Sequence, residues 1–269
     1  MQPILRFEQL SMRYNTRAGQ TILAMQDVSA QIGRDEFVTI LGPSGCGKST
    51  LLKIAASVLR PTSGEVWLDG KKLMRPTPKI GMVFQQPILL PWRNVLENVL
   101  FPIQMMGLPA SKYKAAALDL LRLVGLSGFE QAMPGELSGG MQQRVSICRA
   151  LVYDPTILLM DEPFAALDAM TREELGIELL RIWNERKKTV LFVTHSIQEG
   201  ILLADRVLVM TARPGRVAAS LPIELPRPRT VSMISSKEYG HYAETIRDLI
   251  ATTSLKPPQR ISHEALATG

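Results

Sequence analysis

Short apolar runs alternate with amphipathic helical patterns over most of the chain. Three runs of strand length are almost wholly apolar, at residues 37–41, 157–160 and 189–194. A strand that is covered by helices on both faces must be apolar on both sides, so these runs predict buried strands of a largely parallel sheet. The alternation of such strands with helical segments predicts an α/β core.

The first 32 residues carry a different pattern. Residues 4–14 and 21–32 have the composition of short strands, and the polar loop 15–20 between them contains one glycine. Two strands joined in this way favour an antiparallel pair ahead of the α/β core. A further strand is predicted at 65–70, where it ends in an Asp-Gly turn.

The segment from about 94 to 140 is predicted to be a helical insert. Apolar residues recur at helical spacing from Val95 to Met106, across Pro102, which should kink the helix. A second helix is expected to be capped by Ser111 and to end at a glycine, residue 125.

The second half of the chain contains a helix signal and a proline-rich stretch. Residues 171–174, Thr-Arg-Glu-Glu, have the form of a capping box and predict the start of a long helix. Three prolines within 222–228 predict a stiff, extended connector. We therefore expect one domain over residues 1–230 and a short tail over 231–269, with a helix at 243–251 and a mobile last dozen residues.

The amino-acid composition excludes several classes of protein. The 269 residues are 46% hydrophobic and 21% charged, which is enough apolar material for a core, and stretches approaching 18 residues all contain a charge or a proline. No signal-peptide pattern opens the chain, so we expect it in the cytosol. Two cysteines, Cys46 and Cys148, exclude a disulfide framework, and no Cys/His cluster suggests zinc. The net charge of +6 permits nucleic acid, an anionic membrane or phosphate as a partner, without choosing among them.

A phosphate-binding motif follows the first predicted core strand directly. Its sequence fits GxxxxGK[ST] and precedes an amphipathic helix, the setting that the motif requires. The loop consists of Gly42, Pro43, Ser44, Gly45, Cys46, Gly47, Lys48, Ser49 and Thr50. Its glycines let backbone N–H groups converge on phosphate oxygens at a helix N-terminus. Lys48 is predicted to bridge the β- and γ-phosphates, and Ser49 to supply a hydroxyl ligand to Mg²⁺.

Two carboxylates end the second core strand. Four apolar residues followed by Asp161 are typical of the second half of a P-loop site, in which that aspartate holds Mg²⁺ directly or through water. Glu162 comes next and is predicted to act as the general base on the water that attacks the γ-phosphate. No Asn-Lys-x-Asp occurs, so guanine specificity has no support.

A second anion-binding device lies at residues 137–144, just before another helix. Ser138, Gly139 and Gly140 present a hydroxyl and backbone donors at the helix N-terminus. One nucleotide cannot need both devices from one chain, so two chains are expected to meet head to tail, each covering the other's ATP. This stretch resembles the signature of ATP-binding cassette (ABC) ATPases, and the resemblance covers about residues 4–230. Met141 stands where the family most often has Gln.

The resemblance implies the fold and the remaining site residues. It implies a P-loop ABC ATPase fold with a RecA-like parallel-sheet core, an N-terminal antiparallel β subdomain and a helical signature-motif subdomain. Gln85 would be the Q-loop residue that reaches Mg²⁺ and the attacking water, with Gln86 as the adjacent alternative. Asp168 would be the D-loop residue that contacts the opposite subunit, although Ala165 replaces that loop's usual leading Ser. His195 would bind the γ-phosphate.

Tyr14 occupies the position at which the family stacks an aromatic ring on adenine. An ordinary strand aromatic is the alternative interpretation of this residue.

Three kinds of ABC protein could contain such a chain. An exporter would usually carry its own membrane helices, and a non-transport machine acting on nucleic acid or ribosomes would usually carry paired cassettes, coiled-coil arms or zinc modules. The chain resembles instead an importer subunit of the nitrate, sulfonate and taurine branch, through residues 89–95, 160–168, 213–216 and 225–229. A non-transport ABC protein that acts on nucleic acid or ribosomes remains the alternative hypothesis, because the basic net charge of the chain would also suit binding to nucleic acid.

The hypothesis of an importer subunit implies cofactors, partners and a cellular location for the chain. The cofactors would be ATP and Mg²⁺, and the partners a second copy of the chain and transmembrane permease subunits. An extracytoplasmic solute-binding protein would take part indirectly and choose the solute, and no nucleic acid is expected. The chain would then work as a peripheral protein on the cytoplasmic face of the inner membrane.

Overall fold

The computed structural model describes residues 2–15 and 20–254. Ten strands and seven α-helices form in these ranges. The strands are β1 (Leu5–Asn15), β2 (Thr21–Ile32), β3 (Phe37–Leu41), β4 (Ser63–Leu68), β5 (Lys71–Lys72), β6 (Ile80–Val83), β7 (Ile157–Asp161), β8 (Thr189–Val193), β9 (Arg206–Met210) and β10 (Val217–Pro222). The helices are α1 (Lys48–Ala55), α2 (Val95–Met105), α3 (Ala110–Leu123), α4 (Gly139–Leu151), α5 (Ala169–Arg186), α6 (Ile197–Leu203) and α7 (Lys237–Ser254).

A six-stranded sheet forms the centre of the α/β core, in the order β10-β9-β3-β8-β7-β6. All pairs are parallel except the antiparallel edge pair of β9 and β10. Every residue of β3, β7 and β8 is buried, as expected for strands that are covered on both faces. The predicted α/β class and the parallel core are confirmed.

A second sheet, entirely antiparallel, lies at the N-terminal end of the chain in the order β2-β1-β4-β5. The six-stranded sheet separates two hydrophobic cores. The first core joins one sheet face to α1 and the antiparallel strands, and the second joins the other face to the remaining helices. Successive residues of β3 alternate between the cores, with Val38 and Ile40 in the first and Phe37 and Leu41 in the second.

The helical insert consists of α2 and α3, which pack on each other and on α4. Asn94 caps α2 in a capping box with Glu97. The predicted cap at Ser111 is wrong: α3 begins at Ala110, after Pro109, so Ser111 lies inside its first turn. The fixed φ of proline suits the position just before a helix, where no backbone N–H is needed.

The predicted capping box at 171–174 is also wrong. The cap of α5 is Asp168, whose side chain accepts a hydrogen bond from the backbone N–H of Thr171. Thr171 sits inside the helix, and its hydroxyl donates to the other Asp168 oxygen. The N-cap of α5 is therefore Asp168, three residues before the predicted N-cap, Thr171.

The C-terminal segment packs on the α/β core. Ile223 and Leu225 of the proline-rich connector are buried, and α7 contacts α6 and β9. The predicted range 243–251 lies inside α7, and the last dozen residues lie outside the described residues. Among the helices that the structure describes, none is both long enough and apolar enough to cross a membrane.

Candidate active site

The glycine-rich loop turns from β3 into α1 with two glycines in the left-handed region. Gly45 has a φ of 74° and Gly47 a φ of 101°, and α1 begins at Lys48. A Cβ on Gly47 would lie 2.6 Å from Cγ of Met25, so only glycine fits there without a shift. The turn leaves the backbone N–H groups at the start of α1 for an anion, because a helix's first N–H groups have no partner within the helix.

Lys48 is buried and its ammonium group is held by the loop itself. Nζ donates to the carbonyl oxygens of Gly42 at 2.8 Å and of Pro43 at 3.0 Å. These bonds satisfy a cation that would otherwise be costly to bury. The charge is therefore fixed beside the loop, where phosphate oxygens would meet it.

Ser49 and Asp161 are brought together from α1 and the end of β7. The Ser49 hydroxyl donates to Oδ1 of Asp161 at 2.7 Å. Burial raises the pKa of Asp161, and the Ser49 hydrogen bond acts in the opposite direction. A hydroxyl and a carboxylate are oxygen ligands of the kind that Mg²⁺ prefers, so this pair fits the predicted metal site.

Glu162 and His195 form a second pair at the same edge of the sheet. Oε2 of Glu162 lies 3.3 Å from Nδ1 of His195. Glu162 has a positive φ of 44°, and its N–H donates to the carbonyl of Val193 at 3.0 Å. This backbone turn brings its side chain to the wall of the cavity described next. A strained backbone at a carboxylate in a cleft is typical of a functional position.

A cavity of about 410 Å³ opens over the glycine-rich loop. It is lined by Tyr14, Ile22, Ala24, Ser44, Gly45, Gly47, Lys48, Ser49, Thr50, Glu162 and Arg213. The Tyr14 hydroxyl lies 3.2 Å from the Thr50 hydroxyl, which ties the antiparallel sheet to the start of α1. The cavity thus has a phosphate-binding floor, one aromatic wall and one cationic wall.

Arg213, in the turn between β9 and β10, was not among the predicted site residues. Its guanidinium donates to the carbonyl oxygen of Gly45 through Nε at 3.3 Å and Nη2 at 3.2 Å. The same turn pairs with β2, since Gly215 donates to Ala24 and accepts from Gln26. A Cβ on Gly215 would lie 1.9 Å from the carbonyl oxygen of Cys46. The Arg-Pro-Gly-Arg sequence at 213–216 resembles the family, but it does not predict a contact between Arg213 and the glycine-rich loop.

The predicted signature and D-loop residues lie outside this cavity. Ser138 caps α4 by accepting from the N–H of Met141 at 3.3 Å, and both Ser138 and Gly139 are exposed. Asp168 is also exposed, and its hydrogen bonds from Thr171 lower its pKa. Neither these residues nor Gly140 line the cavity. Within one chain, the two anion-binding devices are therefore separate.

Gln85 is exposed in the segment that follows β6, and α4 and α2 hold that segment in place. Gln143 donates to the carbonyl of Phe84 at 3.3 Å, and Arg149 to the carbonyl of Pro87 at 2.7 Å. The amide of Asn98, fully buried, bonds the backbone of Leu90, Arg93 and Asn94. These supports could not be predicted from the sequence, since their partners are backbone groups, which carry no sequence signal.

Comparison with known proteins agrees with the geometry. The family model described as ABC transporter matches residues 25–165. The chain belongs to this family. It is 52% identical over 221 residues to an uncharacterized ABC transporter ATP-binding protein of Methanocaldococcus jannaschii, covering 82% of this chain and 83% of that protein. It is 44% identical over 255 residues to a taurine import ATP-binding protein of Rhizobium johnstonii, covering 93% and 97% respectively.

A solved ABC cassette has the same fold. A dimeric, post-hydrolysis cassette bound to ADP and phosphate matches with a TM-score of 0.72 at 34% identity, covering 82% of this chain and all of that one. The protein is an ABC ATPase, and the cavity over the glycine-rich loop is its candidate ATP site.

Proposed function

We propose that this ABC ATPase is the ATP-hydrolysing subunit of a bacterial importer that works on a separate membrane permease. The observation that carries the proposal is the 44% identity, over almost the whole chain, to a taurine import ATP-binding protein. On this proposal residues 1–230 are the nucleotide-binding domain and 231–269 a C-terminal tail. The solute is of the nitrate, sulfonate or taurine type, small and anionic or organic.

The cavity residues are proposed to bind ATP from three sides. The phosphates would lie on the N–H groups of the glycine-rich loop, where Lys48 neutralises charge that builds up on the β- and γ-phosphates. Tyr14 would stack on adenine, which its position in the cavity wall supports. Mg²⁺ would be held by Ser49 and Asp161, with Gln85 reaching it from the segment after β6, and it would neutralise phosphate charge there.

Glu162 is proposed as the general base. Its carboxylate would accept a proton from the attacking water, whose oxygen forms a bond to the γ-phosphorus as the bond to the β-phosphate oxygen breaks. His195, 3.3 Å from that carboxylate, would donate a hydrogen bond to the γ-phosphate. Gln85 would orient the same water.

A second copy of the chain is proposed to complete each site. Ser138, Gly139, Gly140 and Asp168 do not line the cavity of their own chain, yet the first three offer donors at the start of α4. In a head-to-tail pair these residues would cover the ATP of the partner. The dimeric state of a similar cassette supports this arrangement.

An exposed apolar patch supports a permease docking surface. The segment after β6 approaches α2, since Arg93 lies over the ring of Phe101. The patch is the set of exposed apolar residues on that segment and at the end of α2, namely Phe84, Ile88, Trp92, Met105, Met106 and Leu108, of which Trp92 is 71% exposed. Exposed apolar residues grouped in this way mark interaction sites. Docking here would hold the protein on the cytoplasmic face of the membrane.

Affinity purification from detergent-solubilised native membranes tests the proposal. The tagged protein should retain a multi-spanning permease, and Trp92→Glu should lose it while keeping ATP hydrolysis in solution. Met74→Glu, which places the same charge at an exposed apolar residue outside the patch, is the matched control and should keep the permease. Purification with nucleic acid or ribosomal protein, and without a membrane subunit, would favour the non-transport alternative.

A further inference from the structure

His195 is the residue between strand β8 and helix α6, so the placement of α6 sets the placement of its imidazole. Ser196 caps the helix by accepting from the N–H of Glu199 at 3.2 Å. The hydroxyl of Thr194 donates to the carboxylate of Glu199. A helix of seven residues has little stability of its own, so its position depends on what packs against it.

The last turn of α6 is held by an arginine from the proline-rich connector. Arg229 is 5% exposed and donates to the backbone carbonyls of Ile201, Leu202 and Ala204 at the end of α6, and of Ile223 and Leu225 in the connector. A cation at a helix C-terminus is favourable, because the last carbonyls have no partner within the helix. Burial lowers the pKa of Arg229 to about 10, so it stays charged at neutral pH.

A second arginine of the connector supports the same end of the helix. Arg227 donates to the carbonyl of Leu203 and to the carboxylate of Asp205, and its guanidinium lies 4.1 Å from the ring centroid of Trp183. The two arginines together fix the connector across the end of α6.

The first turn of α6 is held by helix α7. The hydroxyl of Tyr239 donates to the carbonyl oxygen of Gln198 at 3.2 Å, three residues after His195. Tyr239 is 5% exposed. Burial raises its pKa to about 12, with Glu173 acting in the same direction, so the hydroxyl keeps its proton and remains a donor.

We propose that the connector and α7 form a clamp that positions His195 by holding α6 at both ends. Tyr239 and Arg229 are the positioning residues. The effect on hydrolysis rests on the proposed function, in which His195 contacts the γ-phosphate. The predicted displacement of the His195 imidazole does not depend on that function.

The first test compares two tyrosine-to-phenylalanine variants. Tyr239→Phe keeps the ring and removes only the hydroxyl that bonds α6. Tyr153→Phe is the matched control, because the Tyr153 hydroxyl likewise donates to a backbone carbonyl, that of Ile80 at the start of β6, which is not part of the clamp. Tyr239→Phe should lower kcat for ATP about 3–10-fold with the KM for ATP within about twofold, because a small displacement of a positioned group lowers the rate without removing a substrate contact. Tyr153→Phe should leave kcat unchanged.

Imidazole NMR provides a readout independent of catalysis. The full chain has three histidines, so ¹³C-histidine labelling gives three Cε1–H signals, of which His195 is assigned with His195→Gln. Tyr239→Phe should move the His195 signal. Tyr153→Phe should leave the His195 signal in place, because it removes a hydrogen bond to β6 and none to α6 or the connector.

A second variant perturbs the clamp at its other end, so that the conclusion does not depend on Tyr239 alone. Arg229→Lys keeps the charge but cannot reach five carbonyls, so it should also move the His195 signal and lower kcat. An unmoved His195 signal in folded Tyr239→Phe and Arg229→Lys overturns the clamp. A moved signal with unchanged kcat supports the clamp and removes His195 from the proposed mechanism, so the two failures are distinguishable.

Discussion

At the residue scale, the site contains two pairs of opposite character at one edge of the sheet. The half-buried hydroxyl of Ser49 and the buried carboxylate of Asp161 are oxygen ligands of the kind that a metal site needs. The more open pair of Glu162 and His195 has groups that can accept and donate a proton. Two adjacent carboxylates with different surroundings are a common way for an enzyme to separate metal binding from base catalysis.

The Glu162→Gln variant tests the base assignment. Glutamine keeps the shape and polarity of the side chain but cannot accept the proton, so hydrolysis should fall by roughly 10²–10⁴-fold while ATP still binds. Steady-state phosphate release and nucleotide-binding titrations measure the two effects. Glu185→Gln, at an exposed site on α5, is the control and should hydrolyse ATP normally. Near-normal turnover in Glu162→Gln would mean that another group takes the proton.

Asp161→Asn should stabilise the nucleotide-free protein at neutral pH. Burial raises the pKa of Asp161 above its ordinary value of 3.8, so its ionised form is less favourable in the folded chain than in the unfolded one. This cost is fully present above the raised pKa and is lost as the pH falls below 3.8. The variant's advantage in the free energy of unfolding should therefore shrink from pH 7 towards pH 4. Denaturation curves at several pH values measure it, and a constant or growing advantage contradicts the assignment.

At the element scale, the shape of the site depends on contacts made by the turns and loops between strands more than on the strands themselves. The turn between β9 and β10 contacts the glycine-rich loop through Arg213 and Gly215, although 168 residues separate Arg213 from Gly45 in sequence. The segment after β6 is held in a similar way by α4 and by Asn98. In each case a side chain from one element holds the backbone of another segment.

Gly215→Ala should weaken ATP binding. The added methyl would lie 1.9 Å from the carbonyl oxygen of Cys46, so the turn or the glycine-rich loop has to move. A displacement of this size should cost about 10–100-fold in affinity for ATP. Isothermal titration measures the loss, and Gly135→Ala, whose methyl would meet nothing within 4 Å, should bind ATP as the parent does. Equal affinities in both variants contradict the coupling.

Local sequence signals account for much of the fold and less of the site's surroundings. The strands of the core were predicted because a strand buried on both faces must be apolar, and the glycine-rich loop because its spacing is tied to its chemistry. Helix starts were less certain where several capping residues lie close together, as with Asp168 and Thr171. Arg213 and Asn98 were missed because their partners are backbone groups, which leave no mark in the sequence.

At the scale of the whole molecule, the proposed ATP site is divided between two surfaces of one chain. The cavity lies over β3 and α1, and the exposed start of α4 offers its donors elsewhere. On the proposed function, a second copy of the chain would bring the two surfaces together. The catalytic unit is thus proposed to be the dimer, and its closure would transmit ATP binding to the permease.

Ser138→Arg tests the shared site. The long cation at the exposed start of α4 should block closure on the partner's ATP and abolish turnover, while a single chain still binds ATP with nearly the parent affinity. Ser138→Ala is the control, since it removes the cap at about 1 kcal/mol without adding bulk, and should keep part of the turnover. Hydrolysis, nucleotide titration and light scattering of the ATP-bound species measure these effects. Loss of ATP binding by the monomeric Ser138→Arg chain would sink the two-chain assignment.

The strand order of the central sheet has a consequence for how the protein is made. β3 lies between β8 and β9, which are synthesised about 150 and 165 residues after it. At ribosomal rates of about 5–20 residues per second, the nascent chain exposes this apolar strand for roughly 7–33 seconds before its neighbours emerge. The glycine-rich loop therefore acquires its final shape late in translation, and chaperones that cover apolar segments should have their longest opportunity at β3.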